Sequence, residues 1–225
     1  MPLSSFLSRL FGASPQQPAA DPTPSGTVTL SKGGSTGISL RKDAGRTVDV
    51  HLDWDGGNGD RRARGADLEL YVLAIPRDAV VPFGTPPSEA TAVYYRQLGS
   101  LDAPPYVRHH GDSRTPGRES VTIGHLDQQG YALVCAYSAV SNGIGSFRSY
   151  GARVTLTDHE AQTVHVPLYK RSAFSYWAAI ALIDFTGPAV EIRQVEKYGA
   201  AHAESRPVLL SDGRIRMNAG PIEFK

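Results

Sequence analysis

Thr47-Val-Asp-Val-His-Leu-Asp53 sets Val48, Val50 and Leu52 against Asp49, His51 and Asp53 with a period of two. Successive side chains of an extended chain point to opposite faces, so this stretch reads as a strand with one buried and one wet face. Further on, Leu68-Glu-Leu-Tyr-Val-Leu-Ala-Ile75 is apolar at nearly every position, the pattern of a central strand covered on both faces, and Pro76 ends it. The same reading predicts strands over 92–98, 120–126, 131–139, 149–157, 163–169, 176–185 and 189–195. Turn residues mark the joints: Gly56-Gly-Asn-Gly-Asp60, Thr85-Pro-Pro-Ser88, Ala103-Pro-Pro105, Ser141-Asn-Gly-Ile-Gly145 and Thr186-Gly-Pro188. Short strands at intervals of roughly ten residues, with no βαβ alternation, predict an all-β, antiparallel β-sandwich. One helix is expected in the body of the chain, over 195–203.

The 225 residues carry 23 Lys+Arg against 22 Asp+Glu, a formal charge of +1. That balance excludes binding to nucleic acid by bulk positive charge, and no nucleic-acid partner is expected. The 23 Gly and 16 Pro fit many turns and few long helices. A single Cys135 rules out an internal disulfide framework, and its place inside Tyr131-Ala-Leu-Val-Cys-Ala-Tyr-Ser138 reads as an inert buried thiol. No apolar run reaches the roughly 18–20 residues that a spanning helix needs.

At the start of the chain, Leu3, Phe6, Leu7, Leu10 and Phe11 fall at helical spacing with Arg9 as the one charge. Residues 2–11 are therefore suited to lie on a membrane surface or in a partner's groove, although a weakly packing tail helix is the simpler reading. Gly12 to Gly26 is rich in Pro, Ala, Ser and Gln, the composition of a flexible, disordered tether. The expected organisation is thus an amphipathic segment and tether over 1–26 and a sandwich domain over 27–225. In its last stretch Leu209, Leu210, Ile215, Met217 and Phe224 are expected to pack, since together they would make a large apolar surface.

No phosphate-binding loop is present, and Asn142-Gly143-Ile144-Gly145 reads as a hairpin-type turn. His109 and His110 are adjacent on an expected strand, so they face opposite sides and cannot both meet one ion without a bend. His51 and His165 fall at outward positions. No nucleophile motif stands out, and Ser146 has no identifiable base. Acidic residues are more suggestive: Asp53 and Asp55, then Asp67 and Glu69, lie at alternate positions, while Asp112 and Glu119 bracket a loop. Carboxylates gathered at one end of a sandwich suit a hard cation such as calcium. They equally suit internal pairing with Arg61, Arg62, Arg64, Arg114 and Arg118, which lie between and within these clusters.

Several landmarks resemble the TerD-type family of tellurium-resistance and general stress proteins. Val28-Thr-Leu-Ser-Lys-Gly-Gly34 is similar to that family's opening, Leu52-Asp-Trp-Asp55 to its Gly-Trp-Asp segment, and Ala66-Asp-Leu-Glu-Leu70 to its Asp-Leu-Asp segment. Ala92-Val-Tyr-Tyr95, His110-Gly-Asp-Ser113 and Glu119-Ser-Val-Thr-Ile123 follow in the family's order, and the likeness runs from about Val28 to Ile192. The resemblance implies a β-sandwich, a bacterial cytoplasmic stress-response role without catalysis, and calcium held by acidic loops at one end. Carried over position by position, it nominates Asp55, Asp67, Glu69, Asp112 and Glu119 as metal ligands. The chain departs from the family after Asp112. Ser113 replaces Asn, and Arg114 and Arg118 stand in the shortened run where relatives carry carboxylates. Cations there oppose a divalent ion, so at least one calcium site is expected to be weakened or lost.

Three functions follow as expectations. The first is a non-catalytic TerD-like module with a protein partner, tied to a membrane surface or complex through residues 2–11. The second is an enzyme with its site in loops 53–69 and 109–119. The third is a docking face for an acidic partner, built from the arginines just named.

Overall fold

The computed structural model describes residues 26–38, 45–55, 67–113, 117–142, 145–158 and 162–224. The segments 2–11 and 12–25, Arg61, Arg62, Arg64 and Arg114 lie outside the described residues.

Two sheets stack face to face. The first has seven strands in the order β1 (Gly26–Thr29), β11 (Gln162–Pro167), β10 (Arg153–Asp158), β3 (Val48–Asp53), β8 (Arg118–Ile123), β7 (Val107–His109) and β6 (Gly99–Ser100). The second has six, in the order β2 (Ser35–Ile38), β13 (Val190–Tyr198), β12 (Trp177–Asp184), β9 (Gln129–Ser138), β4 (Leu68–Pro76) and β5 (Thr91–Val93). A hairpin of β14 (Val208–Leu209) and β15 (Ile215–Arg216) completes the strands among the described residues. The all-β sandwich is as expected, with one departure: β1 runs parallel to β11, while the other paired strands are antiparallel.

The two sheets bury themselves differently, as the two founding strands foretell. In β3, Val48, Val50 and Leu52 are fully buried between the sheets while Asp49 and His51 reach the outer surface. That outer face carries a polar lattice. Thr122 Oγ1 donates to Asp49 Oδ1 at 2.6 Å, His110 Nε2 lies 2.8 Å from Thr122 Oγ1, and His51 Nδ1 lies 2.9 Å from Ser120 Oγ. In β4, by contrast, both faces are covered. Leu68, Leu70, Val72 and Ala74 join the core between the sheets, while Tyr71, Leu73 and Ile75 join a second core on the far side.

The second core centres on Trp177, with Tyr71 at 4.8 Å edge-on and Tyr137 at 4.8 Å tilted. It is roofed by the C-terminal stretch, where Leu209 is fully buried and Ile215 and Met217 pack partly. The expected packing of that stretch holds for Leu209 and Leu210 but not for Phe224, which is 62% exposed.

Three local expectations are corrected. No helix forms over 195–203. Residues 195–198 continue β13, whose alternating burial shows the period of a strand, and they pack against β12. The expected strand over 92–98 stops at Val93, where Tyr94 and Gln97 close a turn by mutual backbone bonds of 2.9 and 3.0 Å. This turn carries the chain from one sheet to the other, and it needs Gly99: a Cβ there would lie 2.1 Å from the Val107 carbonyl oxygen. The expected strand over 149–157 begins only at Arg153, because Ser146 and Ser149 form a reciprocal cap on a 3-10 turn over Phe147–Tyr150.

Candidate acidic metal site

Strand β4 is bare at its start, since β5 pairs only with Val72, Leu73 and Ala74. The connection from β7 to β8 fills that gap and brings Asp112 to the same corner as Asp67 and Glu69. One carboxylate oxygen from each of the three lies within 4.8 Å of the others. Glu69 is buried, Asp67 half-buried and Asp112 exposed, so the group opens to solvent at Asp112.

Two supports position this corner. The Asn142 side chain acts as a short substitute strand: its Oδ1 accepts the Asp67 N–H at 2.9 Å, and its Nδ2 donates to the Asp67 carbonyl oxygen and, at 3.0 Å, to Ser138 Oγ. Asn142 closes a 3-10 turn over Val140–Asn142, while the hairpin expected at 142–145 falls partly outside the described residues.

Glu119 supplies the second support. Its carboxylate reaches from the first sheet to the second, accepting the Leu70 N–H at 2.6 Å and the Ser113 N–H at 3.2 Å. Here Glu119 satisfies a backbone donor that no neighbouring strand reaches. His109 stands beside it, with Nε2 at 3.5 Å from Glu119 Oε2 and both side chains fully buried. Because His109 Nδ1 accepts the Gly111 N–H at 3.0 Å, a neutral imidazole there carries its proton on Nε2, facing the carboxylate. These two residues hold the loop that presents Asp112.

Of the five nominated ligands, the structure therefore groups Asp67, Glu69 and Asp112. Glu119 serves the fold beside them. Asp55 lies on another connection, its N–H donating to the Tyr150 carbonyl at 2.9 Å and its carboxylate tight against Gly151, where a Cβ would come within 2.8 Å. One of the internal pairings expected between the acids and the arginines is present. Arg118 pairs across the β3–β8 ladder with Asp53, at 2.8 Å from Nε and 3.3 Å from Nη2, as expected of residues in direct register. His109 is buried and His110 faces the outer lattice, so the pair does splay to opposite sides. Burial of Cys135 pushes its thiol pKa well up, which keeps it un-ionised and unreactive.

The donor set consists of carboxylate oxygens without nitrogen or sulfur, which suits a hard divalent cation rather than zinc or copper. Ionised carboxylates this close repel one another, a repulsion a bound cation relieves. They do not by themselves fill the six to eight oxygen positions that calcium favours, so carbonyl groups or water would complete the shell.

No protein-family model matches this chain, and no curated protein does. Solved structures similar to it include the following two. One is a homologue of telluride resistance protein (TerD) from Streptomyces coelicolor A3(2), at 19% identity and a TM-score of 0.47, covering 69% of this chain and 91% of that one. The other is a protein of unknown function, SAV2460, at 12% identity and a TM-score of 0.45, covering 68% of this chain and 91% of that one. The likeness is distant and of overall structure only.

Proposed function

We propose that this protein is a non-catalytic binding module of TerD type whose acidic corner takes a single divalent cation, calcium by preference. The observation that carries this reading is the convergence of Asp67, Glu69 and Asp112 within 4.8 Å on a corner open to solvent. The order of the sequence landmarks from Val28 to Ile192 supports the family and the stress-response role. With three grouped carboxylates rather than five, binding is weak, with a dissociation constant on the order of 10⁻⁴–10⁻³ M. Calorimetric titration of the full chain with calcium should show one such site, and Asp67→Asn combined with Asp112→Asn should abolish it. Two low-micromolar sites, or no saturation by about 10 mM, would defeat the proposal.

The module docks a protein partner in the cytoplasm, and residues 2–11 anchor it to a membrane surface or complex. Deleting residues 1–26 should shift the protein out of the membrane fraction; unchanged partitioning removes the anchor.

A further inference from the structure

A second feature lies on the far side of the six-stranded sheet from the sandwich core, in a groove of about 530 Å³ between β13 and the C-terminal hairpin. Four of its ten lining residues are cations, Arg193, Lys197, Arg214 and Arg216, and none is acidic. Two of these cations are already engaged: Arg193 with Asp184 at 3.1 Å and Glu191 at 3.8 Å, and Arg214 with Asp212 at 2.6 Å. Arg214 is also held over the Phe83 ring, 5.3 Å from its centroid. The side chains of Lys197 and Arg216 are exposed and make no hydrogen bond or ion pair among the described residues. Leu182, Val195 and Ile215, at the rim of the second core, supply the apolar part of the same lining.

The backbone under the groove is shaped for this arrangement. The β12–β13 register slips between Ala179 and Ala181, so that Val195 and Glu196 together oppose one residue. Glu196 adopts a left-handed conformation with φ of 45°, which an ordinary side chain occupies only when held there. It is held: its carboxylate accepts the Tyr169 N–H at 2.6 Å, the Lys170 N–H at 2.5 Å, the Tyr198 hydroxyl at 3.1 Å and the Gln194 amide at 3.0 Å. Lys197 follows Arg193 and Val195 on the face of β13 that lines the groove with Arg216. Bulges of this kind collect beside functional sites, where they re-aim a side chain.

We propose that this groove binds a small phosphorylated ligand, its phosphate on Lys197 and Arg216 and its body against Leu182, Val195 and Ile215. The volume lies in the range of small-molecule sites. An extended acidic peptide fits less well: the groove lies on a sheet face, whereas strand addition uses a sheet edge. A phosphate needs only side-chain donors, a guanidinium fork and an ammonium.

The test uses the full chain with a chelator present, so that the acidic corner plays no part, and titrates inorganic pyrophosphate, ADP and adenosine at low and physiological salt. Pyrophosphate and ADP should bind saturably, ADP more tightly, with weakening as salt rises, and adenosine should not bind. Lys197→Glu with Arg216→Glu should weaken ADP by at least about tenfold, the loss expected for charge-assisted bonds. The milder pair Lys197→Gln and Arg216→Gln serves if the first fails to fold. No saturation by pyrophosphate or ADP at about 10 mM, an unchanged affinity in the folded variant, or tighter binding of polyglutamate than of ADP would overturn the proposal.

Discussion

Glu196 and Tyr71 show how two buried polar groups of opposite standing behave. Burial pushes the Glu196 pKa up, but hydrogen bonds from Lys170, Gln194, Tyr169 and Tyr198 outweigh it and leave it below the ordinary 4.5. Ionised Glu196 therefore adds stability above about pH 4.5, and that contribution is lost as the pH falls through its lower folded value. Glu196→Gln should flatten the acid limb of the stability–pH curve, followed by urea unfolding between pH 3 and 6. Glu223 works the other way. Burial raises its pKa, with Arg206 and Arg96 opposing, so its contribution is present at low pH and fades as the pH rises through that raised value. A Glu196→Gln curve as steep as the parent's would remove Glu196 from the account. Tyr71 lacks Glu196's compensation: its hydroxyl is buried and finds no hydrogen-bond partner among the described residues. Removing an unsatisfied hydroxyl from an apolar site is favourable, so Tyr71→Phe should raise stability by about 1 kcal/mol. The readout is a higher urea midpoint at unchanged slope, and a lower midpoint contradicts it.

Among the elements, β4 and the C-terminal hairpin are tied together. A strand as apolar as Leu68–Pro76 cannot leave one face to water, and the roof it requires comes from residues far along the chain. Leu209 is the fully buried residue of that roof, reaching the same cluster as Tyr71 and Trp177. Its backbone carbonyl also accepts the Ala90 N–H at 2.9 Å, joining the hairpin to the segment before β5. Leu209→Ala should cost about 2–4 kcal/mol, the range for a buried leucine whose cavity only partly collapses. A loss under about 0.5 kcal/mol would mean the hairpin is not part of the cooperative core. The β13 bulge is the other element with consequences at a distance. Without its extra residue, everything beyond Glu196 would change faces, and Lys197 would no longer line the groove beside Arg216.

Across the whole molecule, three layers of polarity follow from two kinds of strand: a wet face on the seven-stranded sheet, a dry interface, and a second dry face under the C-terminal roof. The sequence by itself determined the all-β class, the one-sided β3, the two-sided β4 and the splayed His109 and His110, because alternation is written in neighbouring residues and survives any context. It also singled out Asp67, Glu69 and Asp112, but it could not separate them from Asp55 and Glu119, since all five sit at comparable acidic landmarks. It misread 195–203 as helix, although burial alternates along β13 as far as Lys197. Only the tertiary structure decided that Glu119 bonds Leu70 49 positions away, that Asn142 clamps Asp67 across 75, and that Arg118 goes to Asp53 across 65. Those choices rest on which unpaired backbone group or charge ends up within about 3 Å once the sheets stack. Distances of that kind come from packing and leave no local signal in the chain.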